Sequence, residues 1–218
     1  MNLRKYTAVL LAVCLSAAML TSCGKNSKSD KLVQNAVELY DAGDYQSALD
    51  ELIKVDENDL KSVKPEIYFF YSGETYYKLG DYENALEAHQ KAVEIKEDLF
   101  KSWVTIGVCY RKLGDESNAL KAYERALEYD PENADSVGLY VSLGSLYISN
   151  NKPYTAIDYL ERAEEIYPEQ PAAHAYLAIA YAMAYEYEKS DEQLVLASAY
   201  GYEDIDSVKK QIEIVKNG

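Results

Sequence analysis

The chain has 218 residues, of which 48% are hydrophobic and 27% charged, which is apolar material enough for one ordinary domain or one short solenoid and excludes wholesale disorder. Ten Gly and five Pro are too few for an all-β protein, which needs a turn residue every eight to twelve positions, so the long periodic segments between them read as helices. The formal net charge of −15 offers no basic surface to neutralise phosphate, and this excludes nucleic-acid binding.

In chain order, Met1 to Cys23 read as a secretory leader, with Arg4 and Lys5 as its charged start and Ala8 to Leu20 as its apolar run. An apolar run of about 13 residues makes a helix of roughly 20 Å, short of the roughly 30 Å hydrocarbon core, so it is not a membrane span. The run ends in Leu20-Thr21-Ser22-Cys23, which resembles the bacterial lipobox. That resemblance implies that residues 1–22 are removed and that Cys23 carries a diacylglyceryl group as a membrane anchor. Loss of Arg4 and Lys5, with no acid, takes the charge from −15 to −17. Several acyl chains hold a protein stably where one would not.

Residues 23–28 are then a lipidated Cys and a flexible tether, within the polar run Gly-Lys-Asn-Ser-Lys-Ser-Asp that ends at Asp30. About seven residues span at most roughly 25 Å, so the folded part is expected close to the bilayer. Lys25, Lys28 and Lys31 either face anionic headgroups or belong to a soluble linker.

From residue 29 the sequence repeats with a period near 34, in blocks 29–62, 66–99, 100–133, 137–170 and 171–204, with insertions 63–65 and 134–136. Position 8 of the blocks holds Ala36, Gly73, Gly107, Gly144 and Ala178; position 20 holds Ala48, Ala85, Ala119, Ala156 and Ser190; position 27 holds Val55, Ala92, Ala126, Ala163 and Ala197. Small residues in register are what two antiparallel helices need where their axes come closest. Tyr76, Tyr110, Tyr147 and Tyr181 share position 11 and fill the space beside them. Gly43-Asp44, Gly80-Asp81 and Gly114-Asp115 supply a left-handed residue that ends one helix and an N-cap that starts the next. Asn151-Lys152-Pro153 does the same in the fourth block, and Tyr185-Glu186-Tyr187 is the weakest turn. Residues 205–218 place Ile205, Val208, Ile212 and Val215 on one face, as a capping helix would.

This pattern is similar to the tetratricopeptide repeat. In the third block Trp103, Ile106, Gly107, Tyr110, Ala119, Tyr123, Ala126 and Pro131 fall where the family's W, LG, Y, A, F/Y, A and P belong. Ser72 stands where Leu is usual and Glu97 where Pro is usual, and the first and fifth blocks are degenerate. The resemblance implies an all-α, right-handed α-solenoid of about five hairpins plus the capping helix. Its function lies in surfaces, since one fold serves many partners.

No catalytic constellation, cofactor motif or metal-ligand spacing stands out, so an enzyme is not expected. His89, His174 and Cys109 fall at packing positions and read as structural, and one mature thiol beside a lipidated Cys leaves no disulfide framework. In the repeat family the groove is lined by positions 2, 5, 6, 9, 12 and 13 of each block. Carried over, these are Val33, Val37 and Tyr40; Ile67, Phe70, Tyr71, Glu74, Tyr77 and Lys78; Lys101, Val104, Thr105, Val108, Arg111 and Lys112; Val141, Ser142 and Ser145; and Tyr176 and Ile179. The apolar ones serve either a partner or the packing between repeats. Tyr71 and Tyr77 offer broad rigid contacts, while Lys78, Lys101, Arg111 and Lys112 form a basic spot for an acidic group. The family's Asn-containing carboxylate clamp is missing at position 9, which reads Val37, Glu74, Val108, Ser145 and Ile179. The expectation is a lipid-anchored adaptor in a bacterial cell envelope, binding an extended or helical segment of another envelope protein. The alternative is cell-wall glycan binding through Tyr40, Tyr71, Tyr77 and Tyr176, or an accessory role beside an envelope enzyme. Which membrane and which oligomeric state are left open.

Overall fold

The computed structural model describes residues 26–130 and 132–217. The leader, the Cys23 anchor and Pro131 therefore lie outside the described residues. Among the described residues there are eleven α-helices, two short 3-10 turns and no strand. The helices are α1 Lys28–Asp41, α2 Tyr45–Leu52, α3 Pro65–Leu79, α4 Tyr82–Ile95, α5 Phe100–Lys112, α6 Glu116–Leu127, α7 Val137–Ser149, α8 Pro153–Ile166, α9 Pro171–Met183, α10 Tyr187–Ala199 and α11 Ile205–Asn217. They form two compact units, α1 to α5 before residue 115 and α6 to α11 from it onward. Within each unit consecutive hairpins pack in series, as in the all-α solenoid class.

The small-residue columns are mostly buried, and two of their glycines meet a facing side chain. Ala48, Ala85, Ala119 and Ala156 are fully buried, as are Ala92, Ala126, Ala163 and Ala197, while Val55 is only half-buried. A Cβ on Gly73 would fall 2.5 Å from Cδ2 of His89, and one on Gly144 would fall 2.3 Å from Cγ of Leu160. Neither position of α3 or α7 could carry even alanine without displacing the facing side chain of His89 or Leu160. Ser190, the odd member of its column, donates its hydroxyl to the Ala178 carbonyl at 2.7 Å, which explains a polar atom there.

The turns follow the chemistry of their residues. Gly43, Gly80 and Gly114 have φ of +83°, +82° and +83°, and Asp44, Asp81 and Asp115 accept from the backbone N–H three residues on at 3.1, 3.1 and 3.0 Å. Asn151 takes the left-handed conformation in the fourth block, with Pro153 at the first position of α8. In the second unit, Val208 and Ile212 of α11 are buried against Ala175, Ala178, Ile179 and Ala182 of α9, with Ile205 and Val215 beside them.

The polar run that ends at Asp30 is folded from Ser27 onward. Ser27 caps α1 by accepting from the Asp30 N–H at 2.9 Å, and the Asp30 carboxylate accepts from the Ser27 N–H at 2.9 Å. Asp30 is fully buried and also accepts from the backbone N–H groups of Lys61, Ser62 and Val63 at 3.0, 3.0 and 2.9 Å. Residues 27–30 are thus the folded start of the first unit, and the segment entering the first insertion is clasped by a carboxylate. Burial pushes this carboxyl up, but the backbone donors from Val63, Ser27, Lys61 and Ser62 outweigh it and hold it well below the usual carboxylate range. The second unit repeats the device: Asp130 accepts from the hydroxyls of Ser136 and Tyr140 and from the Glu132 N–H, fixing the segment around the second insertion.

Replacing Asp30 by Ala strands several buried donors and is expected to cost the first unit about 3 kcal/mol at pH 7. A carboxyl depressed in the folded state stabilises fully above its unfolded pKa of about 4 and loses that contribution as pH falls below it. Urea unfolding of wild type and Asp30→Ala should therefore give a gap that narrows between pH 7 and pH 3; an equal gap at both pH values contradicts the clasp.

Candidate functional site

The first unit is organised around α3, which packs against each of the other four helices there. Its sequence begins Pro65-Glu66 and runs into Ile67-Tyr68-Phe69-Phe70-Tyr71, so one helix carries large rings on more than one side. An apolar run without amphipathic spacing suits a helix with neighbours all round.

One turn further, Glu74 joins three first helices. Tyr40 of α1 donates its hydroxyl to Oε2 at 3.0 Å, and Thr105 of α5 donates to Oε1 at 3.1 Å. From α4, Nε2 of the fully buried His89 stands 3.5 Å from Oε1, while its Nδ1 lies 3.2 Å from the Ser102 hydroxyl. Burial pushes the Glu74 carboxyl up, but His89 and the hydroxyls of Tyr40 and Thr105 more than reverse it, holding the carboxyl below its usual range. The Tyr40 phenol is pushed far up, by burial first and then by the Glu74 charge. Burial, with Glu74 adding to it, pushes the Cys109 thiol up to about 12, so this buried cysteine is inert.

Ser102, His89 and Glu74 lie in the order of a hydrolytic triad, yet Ser102 and His89 are fully buried and no substrate carbonyl can reach the hydroxyl. The constellation is structural. Among the described residues no group of three or more His, Cys, Asp or Glu could hold a metal ion, and no described helix is long and apolar enough to cross a membrane.

Beside Glu74 runs a strip of rings. Tyr40 meets Tyr71 edge to face with centroids 5.7 Å apart, Tyr71 meets Phe70 at 5.3 Å, and Tyr40 meets Tyr45 at 5.3 Å. Tyr40, Phe70, Tyr71, Tyr77, Val104 and Val108 are all half-buried, so each keeps an open side. Tyr77 packs against Tyr82 at 5.9 Å.

Several of the expected groove residues stand elsewhere. Val33 and Val37 are buried with Val63 in the core of the first unit, because α1 turns that face inward. Glu74 engages both its oxygens inside the unit, with Tyr40 of α1 and Thr105 of α5, and so clasps the strip. The basic spot is divided: Lys101 and Arg111 are ten positions apart on α5, roughly 15 Å along the axis. Lys78 and the pair Arg111 and Lys112 lie in the last turns of α3 and α5, where they also offset the helix dipoles, and the Lys112 ammonium stands 5.9 Å from the Tyr82 ring. Tyr176 belongs to the second unit and packs there beside Ile148 and Tyr202, and Ile179 is core. The Glu74 tie had a sequence signal: the second block alone puts Glu at position 9 and His at position 24, two polar residues on facing helices.

Tetratricopeptide-repeat models match residues 73–114, 100–133 and 137–170. No curated protein sequence matches the chain significantly. Among solved structures, a crystal structure of MamA is 21% identical with a TM-score of 0.65, over 76% of this chain and 93% of that one. MamA from Desulfovibrio magneticus RS-1, from residue 41 to its end, is 20% identical with a TM-score of 0.68, over 84% and 99%. At that identity the likeness establishes the fold.

Removing the clasp with Glu74→Ala leaves the hydroxyls of Tyr40 and Thr105 without their acceptor and takes the facing charge from the buried His89, and a loss of about 2–4 kcal/mol is expected in thermal or urea unfolding. A change under about 0.5 kcal/mol, the size of an ordinary surface substitution, means that the carboxylate holds nothing.

Proposed function

From the tetratricopeptide repeats between residues 73 and 170 we infer a non-enzymatic adaptor that binds a segment of another protein on the aromatic strip of α1, α2 and α3. The observation that carries this reading is the row Tyr45, Tyr40, Tyr71 and Phe70, ring against ring and half-open, beside an internally satisfied Glu74. Rigid half-buried rings give a large contact area at small entropic cost. Val104 and Val108 extend the apolar surface, and Lys78, Arg111 and Lys112 at one end suit an acidic group on the bound segment. Tyr40 and Tyr71 meet at 78°, so they offer no common flat platform for a sugar ring, and a protein segment is the better occupant than a cell-wall glycan.

The anchor is part of the same proposal. Cys23 carries the lipid on the extracytoplasmic side of a bacterial membrane, and only residues 24–26 separate it from Ser27, the cap of α1. Four chain steps span at most about 14 Å, so the first unit, which carries the strip, is held at the bilayer surface. A partner segment reaches the strip from a membrane protein or from a protein that itself approaches the membrane.

Two measurements test this. A photo-crosslinking residue at position 71 should yield protein adducts in living cells; an absence of adducts together with retention of the protein on purified cell wall hands the strip to glycan. A Cys23→Ala variant should leave the membrane fraction after leader cleavage. Cleaved protein that stays bound contradicts the lipid anchor.

A further inference from the structure

A second surface lies on the other side of α3. Leu49 and Leu52 of α2, Ile53 just after it, Tyr68, Phe69, Ser72 and Tyr76 of α3, and Ala88 of α4 line an open pocket of about 290 Å³, with Glu57, Asn84, Glu87 and Lys91 at its edge. None of these residues belongs to the aromatic strip. The volume sits at the bottom of the range of about 300–1,000 Å³ typical of small-molecule sites, and suits one large side chain.

The chain shows what this pocket attracts. Lys91 folds its ammonium to 5.5 Å from the centroid of Phe69 and to 2.8 Å from Glu87. The hydrogen bond to Glu87 raises its pKa above the usual lysine value; burial opposes this slightly, and the charges of Glu87 and Glu57 and the Tyr68 phenol add to the rise. Lys91 and Glu87 are both well exposed, with side chains 45% and 64% accessible, so the pair can open without unfolding anything. Aromatic walls beneath a rim with two carboxylates and one lysine favour a cation over an anion, and a guanidinium over an ammonium because it stacks as well as pairs.

We propose that this pocket receives an arginine side chain of a basic partner segment, with the guanidinium over Phe69 between Glu57 and Glu87 and with Lys91 displaced to solvent. The occupant is basic because this rim sets Glu57 and Glu87 against the single Lys91, within a chain whose net charge of −15 draws positively charged segments. Ile53, 65% exposed at the mouth of the pocket, supplies an apolar contact for the residue beside the arginine. The site shares no residue with the aromatic strip.

The test uses the full chain in mild detergent and the peptide acetyl-Ala-Phe-Arg-Ala-amide, with a second peptide carrying Gln in place of Arg. Calorimetry measures affinity, and the tyrosine ring resonances report the site. The Arg peptide should shift Tyr68 and Tyr76 and leave Tyr71 and Tyr77 in place. Glu57→Gln combined with Glu87→Gln should weaken it about tenfold, and Lys91→Met, which removes the internal competitor, should tighten it about threefold. Circular dichroism and unfolding midpoints confirm that these exposed substitutions leave the fold intact. Equal binding of the Gln peptide, shifts confined to Tyr71 and Tyr77, or affinities unmoved by all three substitutions overturn the proposal. So does concentration-dependent self-association that Glu57→Gln with Glu87→Gln abolishes, since the pocket then belongs to a second copy of the chain.

Discussion

The Glu74 carboxylate receives hydroxyls from Tyr40 on α1 and Thr105 on α5 while His89 of α4 stands against it, so one charge ties the first helices of three successive repeats. A mostly buried carboxylate is costly to desolvate, and a well-packed apolar residue of similar volume would serve stability about as well. What the carboxylate adds is position. Its two oxygens fix where Tyr40 and Thr105 stand relative to α3, and the rings of Tyr40, Tyr71 and Phe70 are placed along with them. A binding strip built from separate helices needs such a tie, because repeats that touch only their neighbours otherwise drift in their spacing.

The same use of acids recurs where the repeat pattern is interrupted. Asp30 clasps the backbone of 61–63 and Asp130 clasps the segment around 134–136, so both insertions sit beside carboxylates loaded with donors. Part of the chain's acidity is thus internal architecture, and the rest gives the surface its sign. That sign bears on partners: the pocket behind α3 has two carboxylates on its rim, whereas Lys78, Arg111 and Lys112 stand at the ends of α3 and α5.

The hairpins, turns and cap were legible because each rests on local chemistry. A glycine before an aspartate states its own conformation and its own cap, and the columns of Ala and Gly mark close approach without reference to any partner. The face assignments were less legible. Val33 and Val37 occupy positions that in the family look outward, but the insertion at 63–65 brings Val63 over them and makes them core. Asp30 looked like part of a polar tether because its role depends on three backbone N–H groups some thirty residues away, which no local pattern reveals. Glu74 was read as a ligand residue since a lone acid on a groove helix gives no sign that its oxygens are already engaged. Tyr185, at φ +63° and 76% exposed, keeps a left-handed turn with no glycine, and its weakness as a turn signal reflects a conformation that costs tyrosine more than asparagine.

The claim on which the strip depends is that Glu74 couples α1 to α5, and a double-mutant cycle reads that coupling directly. Tyr40→Phe and Thr105→Val each remove one hydroxyl from a different oxygen of the same carboxylate, and urea unfolding gives the stability of wild type, both single variants and the double variant. Coupling through a shared buried charge predicts that the two losses fail to add by at least about 0.5 kcal/mol. Losses that add within about 0.3 kcal/mol would mean that α1 and α5 are held independently and that Glu74 is not the tie.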